Sequence, residues 1–298
     1  MKIGETRVED TFAEAFDMSY ARLLITADDE HWLQAAVQEV TGYSSSVIAC
    51  DAEVGLEEWL AADKTPDGRP GAAILLFGFS ARSLAASVPT RVGQCVMTCP
   101  TTAVFDGLPD ASERIQLGKQ IRFFGDGYQK SKLIGERRYW RIPVMDGEFL
   151  VEESLGVEAG VGGGNLILQA TERAAGLAAA RRGVAALADM AGLITPFPGG
   201  IARSGSKVGS RYRGLPASTA DAYCPTLKGR VESQLDEKAQ LAYEIVIDGV
   251  SPDLVGQGIA RAAEAVAGEG VIVIGAGNYG GTLGAHQFHL HQLLSPVD

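Results

Sequence analysis

One carboxyl interrupts an otherwise apolar run in the C-terminal half of the chain: Glu244, in LAYEIVID at 241–248. Alternation along a strand would place it on one face with Ala242 and Val246. A carboxyl among apolar neighbours loses solvation, which raises its pKa. Such an acid stays protonated near neutrality and can donate a hydrogen bond or a proton. The plainer alternative is an edge-strand glutamate facing water. Upstream lies a second stretch of interest, PFPGGIARSGSKVGSRYRGLPASTADAYCP at 196–225. It shows neither helical nor strand periodicity. It is longer than an ordinary connection, and such loops are usually functional or disordered. Tyr212, Leu215, Tyr223 and Cys224 argue for order. Arg203, Lys207, Arg211 and Arg213 make it locally basic in a chain of net charge −11. An ordered, glycine-rich, basic loop suits an anionic ligand; a surface loop with incidental charges is the alternative.

Other constellations are weaker. His286, His289 and His291 cluster in AHQFHLH. On a strand over 288–293, His289 and His291 would share a face, but only Asp298 lies near enough in sequence to add a ligand, so hydrogen-bonded histidines are expected rather than a metal site. Cys95 and Cys99 lack a second pair or a nearby histidine, and Cys50, Cys95, Cys99 and Cys224 read as reduced, buried thiols. GVGGG at 160–164 is expected to precede a strand, the wrong context for a dinucleotide fingerprint. No serine sits in a nucleophile elbow, and no phosphate-loop motif occurs.

Composition narrows the classes further. At 298 residues and 46% hydrophobic, the chain can fill one large core or two small ones. The acidic balance argues against nucleic acid and against anionic membrane surfaces. No apolar run approaches the roughly 18 residues of a spanning helix. MKIGETRVEDTF lacks a signal-peptide pattern, so a cytoplasmic protein is expected.

The elements that would carry these residues come in two similar series. In the first, a strand over 20–27, a helix over 29–41 capped by Asp28 and a strand over 45–50 are followed by a strand over 72–79, a helix over 80–88 broken by Pro89 and a strand over 92–99. Strands over 117–124 and 138–143 should flank the loop GDGYQKSKLIGE. In the second series, strands over 149–154 and 165–170 lead into a helix over 172–190. A short strand begins at Leu193, and the strand over 241–248, a helix over 251–267 and a strand over 271–275 complete it. The repetition predicts an α+β fold: two similar lobes, 1–147 and 148–298, each a mainly antiparallel sheet flanked by helices, as in duplicated ferredoxin-like split βαβ units. A doubly wound parallel sheet is disfavoured by the hairpin-like connections around 124–138 and 144–149.

Nine stretches carry a resemblance over essentially the whole chain: EDTFAEAF (9–16), TPDGRPG (65–71), RVGQCVMT (91–98), FFGDGYQ (123–129), TPFPGGI (195–201), SKVGS (206–210), LPASTADAYCPT (215–226), YEIVIDG (243–249) and AGNYGGTLG (276–284). The chain resembles formylmethanofuran:tetrahydromethanopterin formyltransferase. A lighter acidic load than the archaeal members and Ala-rich helices point to a member from a methylotrophic bacterium. The resemblance implies an acyltransferase of one-carbon metabolism that moves a formyl group from an N-formyl amine on a furan coenzyme, methanofuran or methylofuran, to N5 of tetrahydromethanopterin. It implies no tightly bound cofactor and no metal, the two coenzymes acting as substrates. It also implies a homotetramer, with hydrolase subunits as further partners. The family's catalytic carboxyl falls on Glu244. Ser206, Lys207 and Ser210 are candidates for the acidic coenzyme tails. Asn165, Gln129, Asp221 and Tyr223 are candidates for the pterin or the formamide. A catalytically idle coenzyme-binding or scaffold subunit is the competing reading, and a regulatory small-molecule-binding module a more distant one.

Overall fold

A computed structural model of the chain describes residues 1–295. In chain order the principal elements are β1 (Thr6–Val8), β2 (Phe12–Thr26), α1 (Glu30–Val40), β3 (Glu53–Leu60), β4 (Gly71–Gly78), α2 (Ala81–Arg91) and β5 (Ala103–Asp106). Then come β6 (Lys130–Ile134), β7 (Arg137–Val144), β8 (Gly147–Glu152), β9 (Ser154–Ala170), α3 (Arg173–Ala185), β10 (Leu193–Ile194), β11 (Leu241–Gly249), α4 (Pro252–Val266), β12 (Val271–Gly275) and β13 (His286–His289).

Two compact units result. One is Met18–Ala159; the other joins Met1–Asp17 to the chain from Gly160 onward. This differs from the expected division at 147/148. The first seventeen residues join the C-terminal unit because β1 pairs in parallel with β12, Val273 opposite Arg7, and the start of β2 pairs with β13.

Within each unit the order strand–helix–strand–strand–helix–strand appears, as expected of a split βαβ fold. In Met18–Ala159 the strands pair as β5–β2–β4–β3, all antiparallel. In the other unit they pair as β12–β9–β11–β10, again all antiparallel. Both sheets therefore place the fourth strand beside the first, then the third, then the second. Parallel pairs are added at the edges, β8 with β5 and β1 with β12.

Local chemistry explains the helices. Asp29, not Asp28, caps α1 by accepting from the Trp32 N–H, and Leu33, Ala36, Val37 and Val40 form its buried stripe. Ser251 caps α4 through the Leu254 N–H, with Pro252 in the first turn. Small residues bury α3: Gly176, Ala179, Ala180 and Gly183. A Cβ on Gly183 would lie 2.5 Å from Val266 Cγ1 and 2.7 Å from Ile245 Cδ1, so glycine lets α3, α4 and β11 close on one another.

Several expected elements are corrected. Residues 45–50 form turns, and the edge strand is instead β3, Glu53–Leu60. Helix α2 runs through Pro89, and 92–96 continues as a π-helical turn instead of a strand. Residues 118–125 are short helical turns, and the hairpin in that region is β6 with β7. Helix α3 stops at Ala185. The glycine run lies inside β9, where a bulge between Val161 and Gly164 accommodates Gly163 at φ +83°. The final strand ends at His289, and His291 sits on the short helix Leu290–Leu293.

The packing beneath β11 has a direct consequence. Gly183→Val forces two methyls into the α3–α4–β11 contact and is expected to destabilise the chain by about 1–3 kcal/mol, read as a lowered urea midpoint by circular dichroism.

Candidate active site

Strand β11 sorts its residues by face. Tyr243, Ile245 and Ile247 point toward the helices; a Cβ on Gly176 would meet the Tyr243 ring, and Gly183 approaches Ile245. The intervening residues face the other way. Glu244 lies directly across the ladder from Ile167 of β9. Its own N–H and C=O bond to Ala202, N to O at 3.2 Å and O to N at 2.8 Å, so the loop after β10 occupies the strand's free side at this residue.

A small cleft of about 40 Å³ opens here, lined among others by Ile167, Ala202, Arg203, Tyr223, Cys224 and Glu244. Glu244 is 5% exposed. Burial raises its pKa, and the Ser206 hydroxyl, donating to Oε1 at 2.6 Å, opposes part of that rise. No cation pairs with it among the described residues. The carboxyl is thus an acid held toward its neutral form, touching a single hydroxyl donor at the base of an opening.

Tyr223 borders the same cleft, and its phenol is pushed up to about 12 by burial, then by the charges of Glu9 and Glu244. It is a neutral hydroxyl donor at any ordinary pH. Tyr279 donates from its hydroxyl to the Ser206 carbonyl at 2.9 Å, which fixes the residue whose side chain meets Glu244.

The remaining candidates separate. Lys207 is paired with Asp221 at 2.7 Å across the loop. Lys207 is part of a two-stranded ribbon, Lys207–Val208 with Ala217–Ser218, and Asp221 follows it. The ribbon and short 3₁₀ turns show that much of 196–225 is ordered by its own hydrogen bonds. Ser210 accepts from the Tyr212 N–H and shapes a turn. Asn165 is a clamp: its Nδ2 donates to the carbonyls of Gly163 and Gly277, and its Oδ1 accepts the Gly277 N–H at 2.6 Å. That engagement ties the end of β12 to β9. Gln129 belongs to the Met18–Ala159 unit, where its Oε1 accepts the Gly127 N–H.

Two participants were not named from the residues: Tyr279 and Glu14. Tyr279 lay in a glycine-rich tail without periodicity. Glu14 carried the same signal as Glu244, a lone carboxyl between apolar residues. The histidines go separate ways. His286 contacts Asp17 at 2.8 Å, His289 packs on the Phe12 ring at 5.2 Å, and His291 bonds the Val8 carbonyl. No group of three or more potential metal-ligating side chains occurs among the described residues, and Asp298 lies outside them.

Comparisons with known proteins converge on one family. The family model described as formylmethanofuran-tetrahydromethanopterin formyltransferase matches residues 1–144, and that of the FTR proximal lobe matches 147–293. The formylmethanofuran–tetrahydromethanopterin formyltransferase of Methylobacillus flagellatus is 48% identical, over 99% of this chain and 100% of the relative. The crystal structure of the formyltransferase/hydrolase complex from Methylorubrum extorquens with methylofuran contains a chain with TM-score 0.94 and 47% identity, covering 99% of each chain. The formyltransferase structure from Methanosarcina barkeri gives TM-score 0.91 at 42% identity, covering 98% of this chain and 100% of the other.

Burial of Glu244 has a measurable cost. Its ionisation is easier in the unfolded chain, so its contribution makes stability fall as pH climbs from the ordinary glutamate range through the raised folded-state value. Glu244→Gln removes that penalty. The variant should gain on wild type progressively as pH rises above the ordinary glutamate range, measured as the difference between their thermal midpoints at each pH.

Proposed function

We infer, since this chain belongs to the formylmethanofuran–tetrahydromethanopterin formyltransferase family, that it moves a formyl group from an N-formyl amine on a furan coenzyme to N5 of tetrahydromethanopterin. The supporting observation is the buried Glu244 carboxyl, its pKa raised by burial and its Oε1 bonded by the Ser206 hydroxyl, in the lining of a cleft.

Transfer between two amines proceeds by addition and elimination. The acceptor nitrogen attacks the formyl carbon, forming the new C–N bond and leaving negative charge on the former carbonyl oxygen. Collapse then breaks the C–N bond to the donor. The proton lost by the acceptor nitrogen matches the one gained by the departing amine. Because that nitrogen is nucleophilic as it stands, the reading asks for no covalent enzyme intermediate, metal or prosthetic group. The protein must orient both coenzymes, stabilise the oxyanion and pass the proton. Protonated Glu244 donates to the oxyanion. A proton-sharing carboxyl can also relay the proton between the two nitrogens. A cleft of about 40 Å³ suits a reacting group, not a whole coenzyme; pockets that engulf ligands measure roughly 300–1,000 Å³. The coenzyme bodies and tails therefore lie outside it, with Arg203 in its lining and Arg211 and Arg213 exposed on the same loop.

The furan coenzyme is methanofuran or methylofuran. We place the chain in the cytoplasm, as a homotetramer or beside hydrolase subunits of the kind named for the Methylorubrum complex.

The test is turnover by the purified chain with formylmethanofuran and tetrahydromethanopterin. Glu244→Gln should lower kcat by about 10²–10³ with KM little changed. Binding of both coenzymes without turnover in either protein would instead identify a scaffold subunit.

A further inference from the structure

A second buried carboxyl, Glu14, lies outside the residues that line the cleft. Glu14, on β2, is 1% exposed and has no arginine, lysine or histidine against it among the described residues. It is instead wrapped by backbone. Oε2 accepts the N–H of Tyr279 at 2.6 Å and of Gly281 at 2.9 Å; Oε1 accepts Leu283 at 2.7 Å and Gly284 at 2.6 Å. Gly280 and Gly281 take φ of +70° and +72°, which turns successive N–H groups inward as an anion-binding nest. Gly284 must be glycine, since a Cβ there would lie 2.4 Å from the Ala15 carbonyl. Burial acts to raise the Glu14 pKa, but the four N–H donors outweigh it and the net direction is downward. The carboxylate is therefore ionised at neutral pH, its charge met by peptide dipoles alone.

The loop so gathered leads straight to the site. Tyr279 is the first residue in the nest, and its hydroxyl donates to the Ser206 carbonyl at 2.9 Å. Ser206 Oγ in turn donates to Glu244 Oε1 at 2.6 Å. The loop has other anchors: Asn278 donates to Thr11 Oγ1 and to the Phe12 carbonyl. Those would hold the chain in place without specifying where the Tyr279 hydroxyl points. We propose that Glu14 is a positioning residue for the reaction: by gathering 279–284 on its carboxylate it seats Tyr279 against Ser206, and so aims the Ser206 hydroxyl at Glu244.

The consequence concerns proton affinity. Ser206 is the donor that moderates the Glu244 rise. With it misdirected, Glu244 holds its proton to higher pH and becomes a poorer relay. The titratable and charged groups that face Glu244 are Tyr279 and Tyr223, with Arg203, Cys224 and Tyr243 around the cleft and Glu9 close to Tyr223. None of these is altered by a change at Glu14 except Tyr279.

The proposal rests on the reading of Glu244 as the reacting acid only where turnover is concerned; the linkage itself is measurable without substrate. The full chain, carrying carbon-13 at its glutamate side-chain carboxyls, is titrated by NMR, and the Glu244 resonance is assigned by its loss in Glu244→Gln. In Ser206→Ala, Tyr279→Phe and Glu14→Gln, Glu244 should titrate at higher pH than in wild type, by about half a pH unit or more. In turnover, Tyr279→Phe and Glu14→Gln should lose about tenfold or more in kcat with KM near wild type, and the alkaline limb of the pH–rate profile should move upward. Tyr279→Phe keeps the nest, so it reads the relay even where Glu14→Gln folds poorly; Glu14→Asp, which keeps the charge and shortens its reach, serves as the milder change at the other end. An unmoved Glu244 titration in both Tyr279→Phe and the Glu14 variants overturns the proposal. A moved titration with unchanged turnover supports the linkage and overturns the catalytic reading of Glu244.

Discussion

A buried carboxyl on the face of β11 turned away from the helices, with no cation paired to it among the described residues, is the constraint around which this site is built. A charged carboxylate there would lose its hydration without a compensating ion. The neutral form is the cheaper one, and the strand supplies what that form needs: Ile167 across the ladder, Ala202 covering the backbone and one hydroxyl in contact. Everything else that matters follows from keeping water scarce at that spot. The glycine and alanine face of α3 lets the sheet sit tightly on its helices, so β11 cannot shift to expose the side chain.

Contrast with the other buried acids sharpens the point. In the Met18–Ala159 unit, Glu57 takes Arg22 at 2.6 Å, Asp106 takes Arg114 at 2.6 Å, and Glu152 takes Arg137. Each is an ordinary solution to burying a charge: pair it and bond it. Glu14 is the intermediate solution, an ion met by four peptide N–H groups. Glu244 is the third kind, met by Ser206 through its hydroxyl and its backbone N–H, and left with a raised pKa. The two units share a strand order, yet β4, the topological counterpart of β11, reads GAAILLFG and carries no carboxyl. Fold repetition thus accounts for the scaffold and not for the chemistry, which rests on a side chain that β11 carries and β4 lacks.

The parts of this arrangement that could be read from the chain are those with local causes. The apolar stretch of β11, the helical stripes of α1 and α4 and their Asp and Ser caps are local signals, and the lone acid in β11 is visible against them. The misread segments obey longer-range rules. The Val92–Val96 stretch has strand-like composition, but it follows α2 directly and is carried on as a π-turn, with Val92 and Val96 buried in the core. The acidic Glu53–Leu60 is a strand because β4 offers it a ladder, and Arg22 neutralises Glu57. The compact units do not follow chain order because the partner of β1 lies some 265 residues away, at β12, while the two family models divide the chain between 144 and 147. Asn165 and Gln129 are expected from loop position to meet the pterin or the formamide, and in the structure the side chains of both are engaged with backbone. Spacing alone cannot reveal that a side chain is already satisfied.

Lys207 raises the same question in a form that energetics can decide. It was expected to meet an acidic coenzyme tail, and the structure gives it Asp221 instead. Yet that pair is solvent-accessible, with the lysine side chain 43% exposed, and exposed pairs contribute only about 0–1 kcal/mol. A carboxylate or phosphate on a bound coenzyme could take the lysine from Asp221 at little expense. Such an exchange would release an aspartate two residues from Tyr223 and loosen the ribbon that carries Ser206 at its edge. Asn165 has less freedom, because it is a buried residue whose amide already makes three hydrogen bonds to backbone, and releasing them costs more than breaking an exposed pair. The distinction between the two lies in solvent exposure, not in residue type: a polar group at the rim can change partners during a reaction, whereas one in the interior can only hold the frame in which the reaction occurs.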